Sequence, residues 1–200
     1  MTDFKPKRIE VVPYTENWAQ TFEALANVFK IDLEDLIIGM EHVGSTAVPG
    51  LAAKPVIDLD LIIRDKSRFE EIKVILGKRG YLHVGEMGIP GREAFKRSSE
   101  YTPLNAENQV WPAHHLYVCL QDSVSLKNHL LFRDYLRANP ETAAEYGRLK
   151  MTLAEKHPYD IDRYIDGKTD FIITVLEKTG FDKMLLNDIS GQNKIDESNN

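Results

Sequence analysis

Glu41-His42-Val43-Gly44-Ser45-Thr46-Ala47-Val48-Pro49-Gly50-Leu51-Ala52-Ala53-Lys54-Pro55-Val56-Ile57-Asp58-Leu59-Asp60-Leu61-Ile62-Ile63 is the stretch on which the fold turns. The run 36–43 is apolar enough for a strand and ends at a Gly44-Ser45 turn, with Pro49 and Gly50 punctuating the next segment. Residues 51–54 leave room for one short helical turn, stopped by Pro55. The run 56–63 is then an almost unbroken apolar strand, interrupted only by Asp58 and Asp60. Strand side chains alternate between faces, so both carboxylates project from the same one. Like charges side by side in a core-bound strand repel and are costly to desolvate. A divalent cation is the simplest compensation, and pairing with a structural Lys or Arg is the plainer alternative.

Outward from this strand the pattern alternates helix and strand, then turns to helices alone. Upstream, Ile9, Val11 and Val12 before Pro13 suggest a short extended segment laid across the domain. Trp18, Phe22, Leu25, Val28 and Phe29 recur at helical spacing, and core packing explains such an aromatic stripe better than a base-stacking platform does. Downstream, Phe69, Ile72, Ile75 and Leu76 mark a crossover helix closed by Gly80, and 81–84 is a further strand. The glycine-rich run 86–97 reads as a hairpin or mobile loop carrying Arg92, Lys96 and Arg97. The polar run 98–112 is a functional or poorly ordered loop. Residues 114–120 form another strand, with His115 and Tyr117 on one face and Leu116 and Val118 on the other. Three helices come after it, the first stopping at Asn139-Pro140, the second reaching Lys156 and the third ending at Gly180. The last residues, 190–200, have the composition of a frayed tail.

With 200 residues, 42% hydrophobic and 28% charged, the chain has the balance of a globular protein able to bury a sizeable core. One domain over 8–182 is expected, a sheet core to about 122 and a helical part over 123–180. The net charge of −6 argues against generic attraction to duplex DNA or an anionic membrane, so small-molecule phosphates are the expected partners. Cys119, the single cysteine, sits in an apolar strand and reads as an inert buried thiol. Neither a signal peptide nor an apolar run of about 18 residues is evident, which makes the cytoplasm the expected location. No feature of the sequence specifies an oligomeric state.

A Gly-Ser turn at a strand end can offer backbone N–H groups and a hydroxyl to a phosphate, and two nearby aspartates can hold magnesium. Gly44-Ser45, with Asp58-Leu59-Asp60 on the next strand, resembles the signature of the nucleotidyltransferase, or polymerase beta-like, superfamily. More closely, 42–58 resembles the GrpB family, also called UPF0157, a domain found alone or fused behind bacterial dephospho-CoA kinases. The resemblance includes Pro13-Tyr14 with Trp18, Gly88-Ile89-Pro90-Gly91-Arg92, His114-His115-Leu116-Tyr117-Val118-Cys119 and Phe132-Arg133-Asp134-Tyr135-Leu136-Arg137. It continues through Tyr146 with Leu149-Lys150 and Tyr164 with Lys168 and Phe171.

That resemblance implies an α/β fold of the α+β type: a small mixed, mainly antiparallel sheet with flanking helices, nucleotidyltransferase-like, and then C-terminal helices. It implies transfer of a nucleotidyl group from an NTP to a hydroxyl acceptor, with Asp58 and Asp60 as catalytic, metal-binding residues and Mg2+, Mn2+ or another divalent cation as cofactor. Gly44 and Ser45 would meet the phosphates. Lys54, Arg92, Arg133, Lys150 and Lys168 lie within the matching motifs and would balance a triphosphate, a solvated surface being the alternative for each.

The superfamily pattern adds a third acid from a neighbouring strand, where this chain presents His115 and Tyr117 instead. Three completions stay open: Glu86 or Glu93 from the hairpin, His115 itself, or a site that binds a nucleotide or coenzyme-A-related ligand without turning it over. His42 and His115 with the aspartates would make a softer site suited to zinc, nickel or manganese; hydrogen-bonded strand histidines are the alternative.

Overall fold

The computed structural model describes residues 7–181 and Leu186. The expected tail over 190–200 lies outside the described residues. Among the described residues, five strands form one sheet in the order β1-β2-β5-β4-β3, with β1 at Gly39–Val43, β2 at Ile57–Ile63, β3 at Tyr81–Gly85, β4 at Arg92–Arg97 and β5 at His114–Leu120. Only the central β2–β5 pair is parallel, the other three pairs being antiparallel, so the sheet is mixed and mainly antiparallel as expected. The parallel pair needs a long crossover, which helix α2 (Phe69–Lys78) and the β3–β4 hairpin supply.

Alternation along β2 decides what packs on each face. Ile57, Leu59, Leu61 and Ile63 are buried with Leu116 and Val118 of β5 against α1 (Asn17–Leu33) and α2, in a core that includes Leu25, Phe29, Leu33, Ile72 and Leu76. The opposite face carries the two aspartates and meets the helices that come after the sheet: α3 (Val124–Ala138), α4 (Pro140–Lys156) and α5 (Ile161–Lys178). Ser123 caps α3 by accepting from the Leu126 N–H at 3.3 Å, and Asp160 caps α5 by accepting from the Arg163 N–H at 3.0 Å. Pro140 opens α4, where its missing N–H costs nothing. Phe132, Leu136, Ala143, Tyr146 and Phe171 give this trio its own apolar centre, which also takes in Val48 and Leu51 from the loop between β1 and β2.

That loop corrects one expectation. The helical turn falls at Ser45–Ala47, directly after Gly44, and 51–54 is extended, with Ala53 bridging Val12. Pro55 restricts the residue before it to extended backbone, so Lys54 cannot end a helix. The bridge also fixes the N-terminal extended segment on the domain. β1 starts later than the apolar run suggested, because the Leu36 and Ile37 amides donate to the Leu33 carbonyl and close the turn after α1, and only from Ile38 does the backbone bond to β2. Loop 98–112 is tied down by two arginines: the Arg97 guanidinium donates to the carbonyl oxygens of Thr102, Pro112, Glu100 and Trp111 at 2.8–3.2 Å, and that of Arg79 to the Leu104 carbonyl at 2.8 Å.

Candidate functional site

Asp58 and Asp60 share a sheet face, as their spacing requires, but their surroundings divide them. In register, Asp58 lies between Val43 and His115, and Asp60 between Glu41 and Tyr117. The His115 Nδ1–H donates to Asp58 Oδ1 at 2.8 Å, since an ionised carboxylate can only accept. Asp60 is fully buried, and its Oδ2 accepts from Nδ1–H of His129 on α3 at 2.7 Å. The other oxygen of Asp60, Oδ1, is buried and has no hydrogen-bond partner.

Gly44 turns at φ 70° with its α-carbon pressed against the Asp58 carboxylate; a β-carbon there would collide with Oδ2. Glycine is therefore needed twice over, for the left-handed backbone and for the close approach. Ser45 comes next, at the start of the 3-10 turn and beside Asp58.

A cavity of about 360 Å³ opens where the sheet meets the helices. Ser45, Asp58 and His115 line it from the sheet side, Lys54 from the loop before β2, and Lys150, Tyr164 and Lys168 from α4 and α5. Three ammonium groups thus face one carboxylate. Lys150 Nζ is buried without a hydrogen-bond partner and lies 4.6 Å from the Tyr146 ring centre, while Lys168 Nζ lies 4.5 Å from that of Tyr164. Burial, reinforced by the Lys168 charge, pushes the Lys150 amine down to about 7, with Asp58 opposing. Burial and the nearby Lys54 push Lys168 down to about 8, and burial lowers Lys54 as well. Crowded, desolvated ammonium groups of this kind are relieved by an anion.

Of the basic residues named from the sequence, Lys54, Lys150 and Lys168 converge here, whereas Arg133 and Arg92 do not line this cavity. Arg133 is buried on α3 and spent on structure, its guanidinium donating to Glu41 Oε2 at 2.5 Å, Asp134 Oδ1 at 2.7 Å and the His42 carbonyl at 2.9 Å. Arg92 faces the same side of the sheet from β4, with its guanidinium 4.5 Å from the Tyr117 ring centre.

Neither hairpin glutamate supplies a third acid. Register places Glu93 opposite Val118, on the face packed against α1 and α2, where it accepts from Lys66 and His83 at 2.8 Å; Glu86 pairs with the same lysine at 2.9 Å. His42 likewise belongs to the other face, stacked on Phe22 at 4.8 Å and bonded to Thr46 Oγ1 at 3.0 Å. Burial drops its pKa to about 4. It is the hydrogen-bonded strand histidine of the plainer reading. Among the described residues, no three His, Cys, Asp or Glu side chains are grouped so as to hold a metal ion.

His129 was not singled out from the sequence. The signal was present: His129, Arg133 and Arg137 recur every four residues along α3 and give it a polar stripe. That stripe reaches Asp60, Glu41 and the Ala47 carbonyl in turn.

Fold and site together define an α+β protein with a mixed five-stranded sheet, in which a Gly-Ser turn and an Asp-x-Asp strand stand beside a lysine-lined cavity. The family model for GrpB protein matches residues 8–178, and the chain belongs to that family. UPF0157 protein YqkA of Bacillus subtilis is 37% identical over 173 residues, which cover 86% of this chain and 48% of YqkA, so the chain spans about half of that relative. The crystal structure of conserved protein GrpB from Enterococcus faecalis superposes with a TM-score of 0.72 at 33% identity, covering 89% of this chain and 98% of that one. A dephospho-CoA kinase of Mycolicibacterium paratuberculosis is 24% identical over 184 residues, 78% of this chain and 42% of the kinase. None of the helices among the described residues is long and apolar enough to cross a membrane.

Proposed function

We propose that this protein transfers a nucleotidyl group from a nucleoside triphosphate to an acceptor hydroxyl. The observation that carries the reading is the placement of Asp58 at the edge of a cavity faced by Lys54, Lys150 and Lys168. Those charges suit the phosphates of a triphosphate, which Ser45 would also contact. The acceptor oxygen bonds to the α-phosphorus as the bond from that phosphorus to pyrophosphate breaks. Pyrophosphate leaves with the electron pair, and the hydroxyl proton passes to water.

The donors fit a magnesium or manganese ion. Both carboxylates are hard oxygen ligands on one face, and buried Oδ1 of Asp60 lacks any other partner. Asp58 and Asp60 would hold the ion, leaving its other positions to water and substrate phosphate, since Nδ1 of His115 is engaged by Asp58. When bound, such an ion neutralises charge on the transferring phosphate and orients the attacking oxygen. Independently of it, the three lysines bind and position the phosphates, Gly44 keeps the Asp58 carboxylate in place, and His129 fixes the orientation of Asp60.

Incubation with labelled ATP, CTP, GTP and UTP, magnesium and small alcohols should release pyrophosphate. Asp58→Asn should abolish release with the circular dichroism spectrum unchanged, and release that survives the substitution would sink the assignment.

One observation favours a second reading, a nucleotide- or coenzyme-A-related binding module without turnover: each aspartate already spends an oxygen on a histidine, and neither Glu86 nor Glu93 reaches them. That module would show ligand-induced thermal stabilisation with no pyrophosphate released.

A further inference from the structure

A second cavity, of about 480 Å³, adjoins the lysine cavity and shares His115 with it. Its lining differs in kind: Val84, Met87, Ala94 and Tyr117 supply an apolar and aromatic surface, with Lys96 as a cationic neighbour. Arg97 also borders it, but its guanidinium is spent on the carbonyls of the 98–112 loop. The cavity is a product of the topology, because Tyr117, Ala94 and Lys96 project from the aspartate face where β4 and β3 extend the sheet beyond β5, and α3 packs on β1 and β5.

Two features of the rim point to a ligand. Val84 and Met87 are 45% and 69% exposed, so large apolar groups stand in water beside a concavity of small-molecule size. Met87 also has φ 49°, the left-handed region that glycine or asparagine ordinarily fills, between Gly85 and Gly88, which turn left-handed as well. Strained backbone of this kind clusters at ligand clamps and active sites.

We propose that this cavity is the acceptor subsite, taking the flat apolar body of a neutral alcohol between Met87 and Tyr117 and presenting its hydroxyl toward Asp58 across His115. The proposal rests on the nucleotidyl-transfer reading for the role of the hydroxyl. The binding surface itself rests on the cavity. Continuity through His115 selects an acceptor over an unrelated ligand, since the phosphates and the alcohol would then meet at the carboxylate. The apolar lining selects a neutral body over a second polyanion.

Indole-3-ethanol is the probe. In protein carrying 13C-labelled methyl groups, it should shift the Met87, Val84 and Ala94 signals with a common Kd in the low millimolar range, the scale of a ligand this small. Met87→Asp and Val84→Asp, at exposed positions, should each weaken binding at least fivefold, whereas Val74→Asp, at an exposed residue of α2 on the opposite side of the sheet, should leave it unchanged. Saturating tripolyphosphate should not displace the probe. Shifts spread over unrelated methyls, indifference to both aspartate variants, or displacement by tripolyphosphate would each overturn the subsite. Failure of the transfer reading has a separate signature: the probe binds as described, yet no nucleotide and alcohol pair releases pyrophosphate.

Discussion

Gly44 and Lys150 show how single residues hold this site in a state of tension. Replacing Gly44 with Ala puts a β-carbon into the Asp58 carboxylate and a side chain onto a left-handed backbone. Stability should fall by about 1–3 kcal/mol, read as a lower urea midpoint at unchanged slope. Lys150 works in the opposite sense, because its buried amine has no hydrogen-bond partner. Lys150→Met should stabilise the empty protein by on the order of 2 kcal/mol near neutral pH while weakening polyphosphate binding. The pH dependence is a matter of linkage. The folded-state pKa is about 7 against 10.5 for the free side chain, so between these values the unfolded chain holds the extra proton. Wild-type stability therefore rises from pH 7 toward 10.5, and the advantage of the Met variant, full below pH 7, should shrink over that window in paired urea titrations.

Among the elements, α3 carries the most architecture per side chain. Its Arg133 clamps β1 through Glu41 and the His42 carbonyl, so Arg133→Ala should cost about 2–3 kcal/mol, toward the lower end because Glu41 is partly solvated. Arg133→Lys should recover only part of that loss, since one ammonium cannot serve two carboxylates and a carbonyl with the geometry of the guanidinium fork. In both variants, polyphosphate affinity of the folded fraction should stay unchanged by calorimetry, which separates a clamp from a phosphate ligand. Arg133 also marks where sequence reasoning stops. The shared face of Asp58 and Asp60 was readable because a period of two is a local property of one strand. So was the existence of each helix. Which of Lys54, Arg92, Arg133, Lys150 and Lys168 would meet depends on how α3, α4 and α5 are rotated over the sheet, and that is set by long-range packing such as the Phe132–Tyr146–Phe171 cluster. The same limit hid the pairing of Asp60 with His129, 69 residues apart.

For the molecule as a whole, the carboxylates and the ammonium groups come from different layers. Asp58 is fixed by the sheet, Lys150 and Lys168 by the helices packed over the aspartate face, and the cavity exists only where the two layers meet. The sheet itself is stitched at its centre by β2 and β5, with α2, β3 and β4 all falling between them in sequence. Local hairpin and helix contacts can form early, but the Asp58–His115 pair closes a span of 57 residues, at an entropic cost that later contacts must repay. On loop-closure grounds, the β2–β5 pairing is expected to follow the local hairpin and helix contacts. On the ribosome, Asp58 is made well before its partner His115, and the full lining of the cavity is available only after α5 has been synthesised.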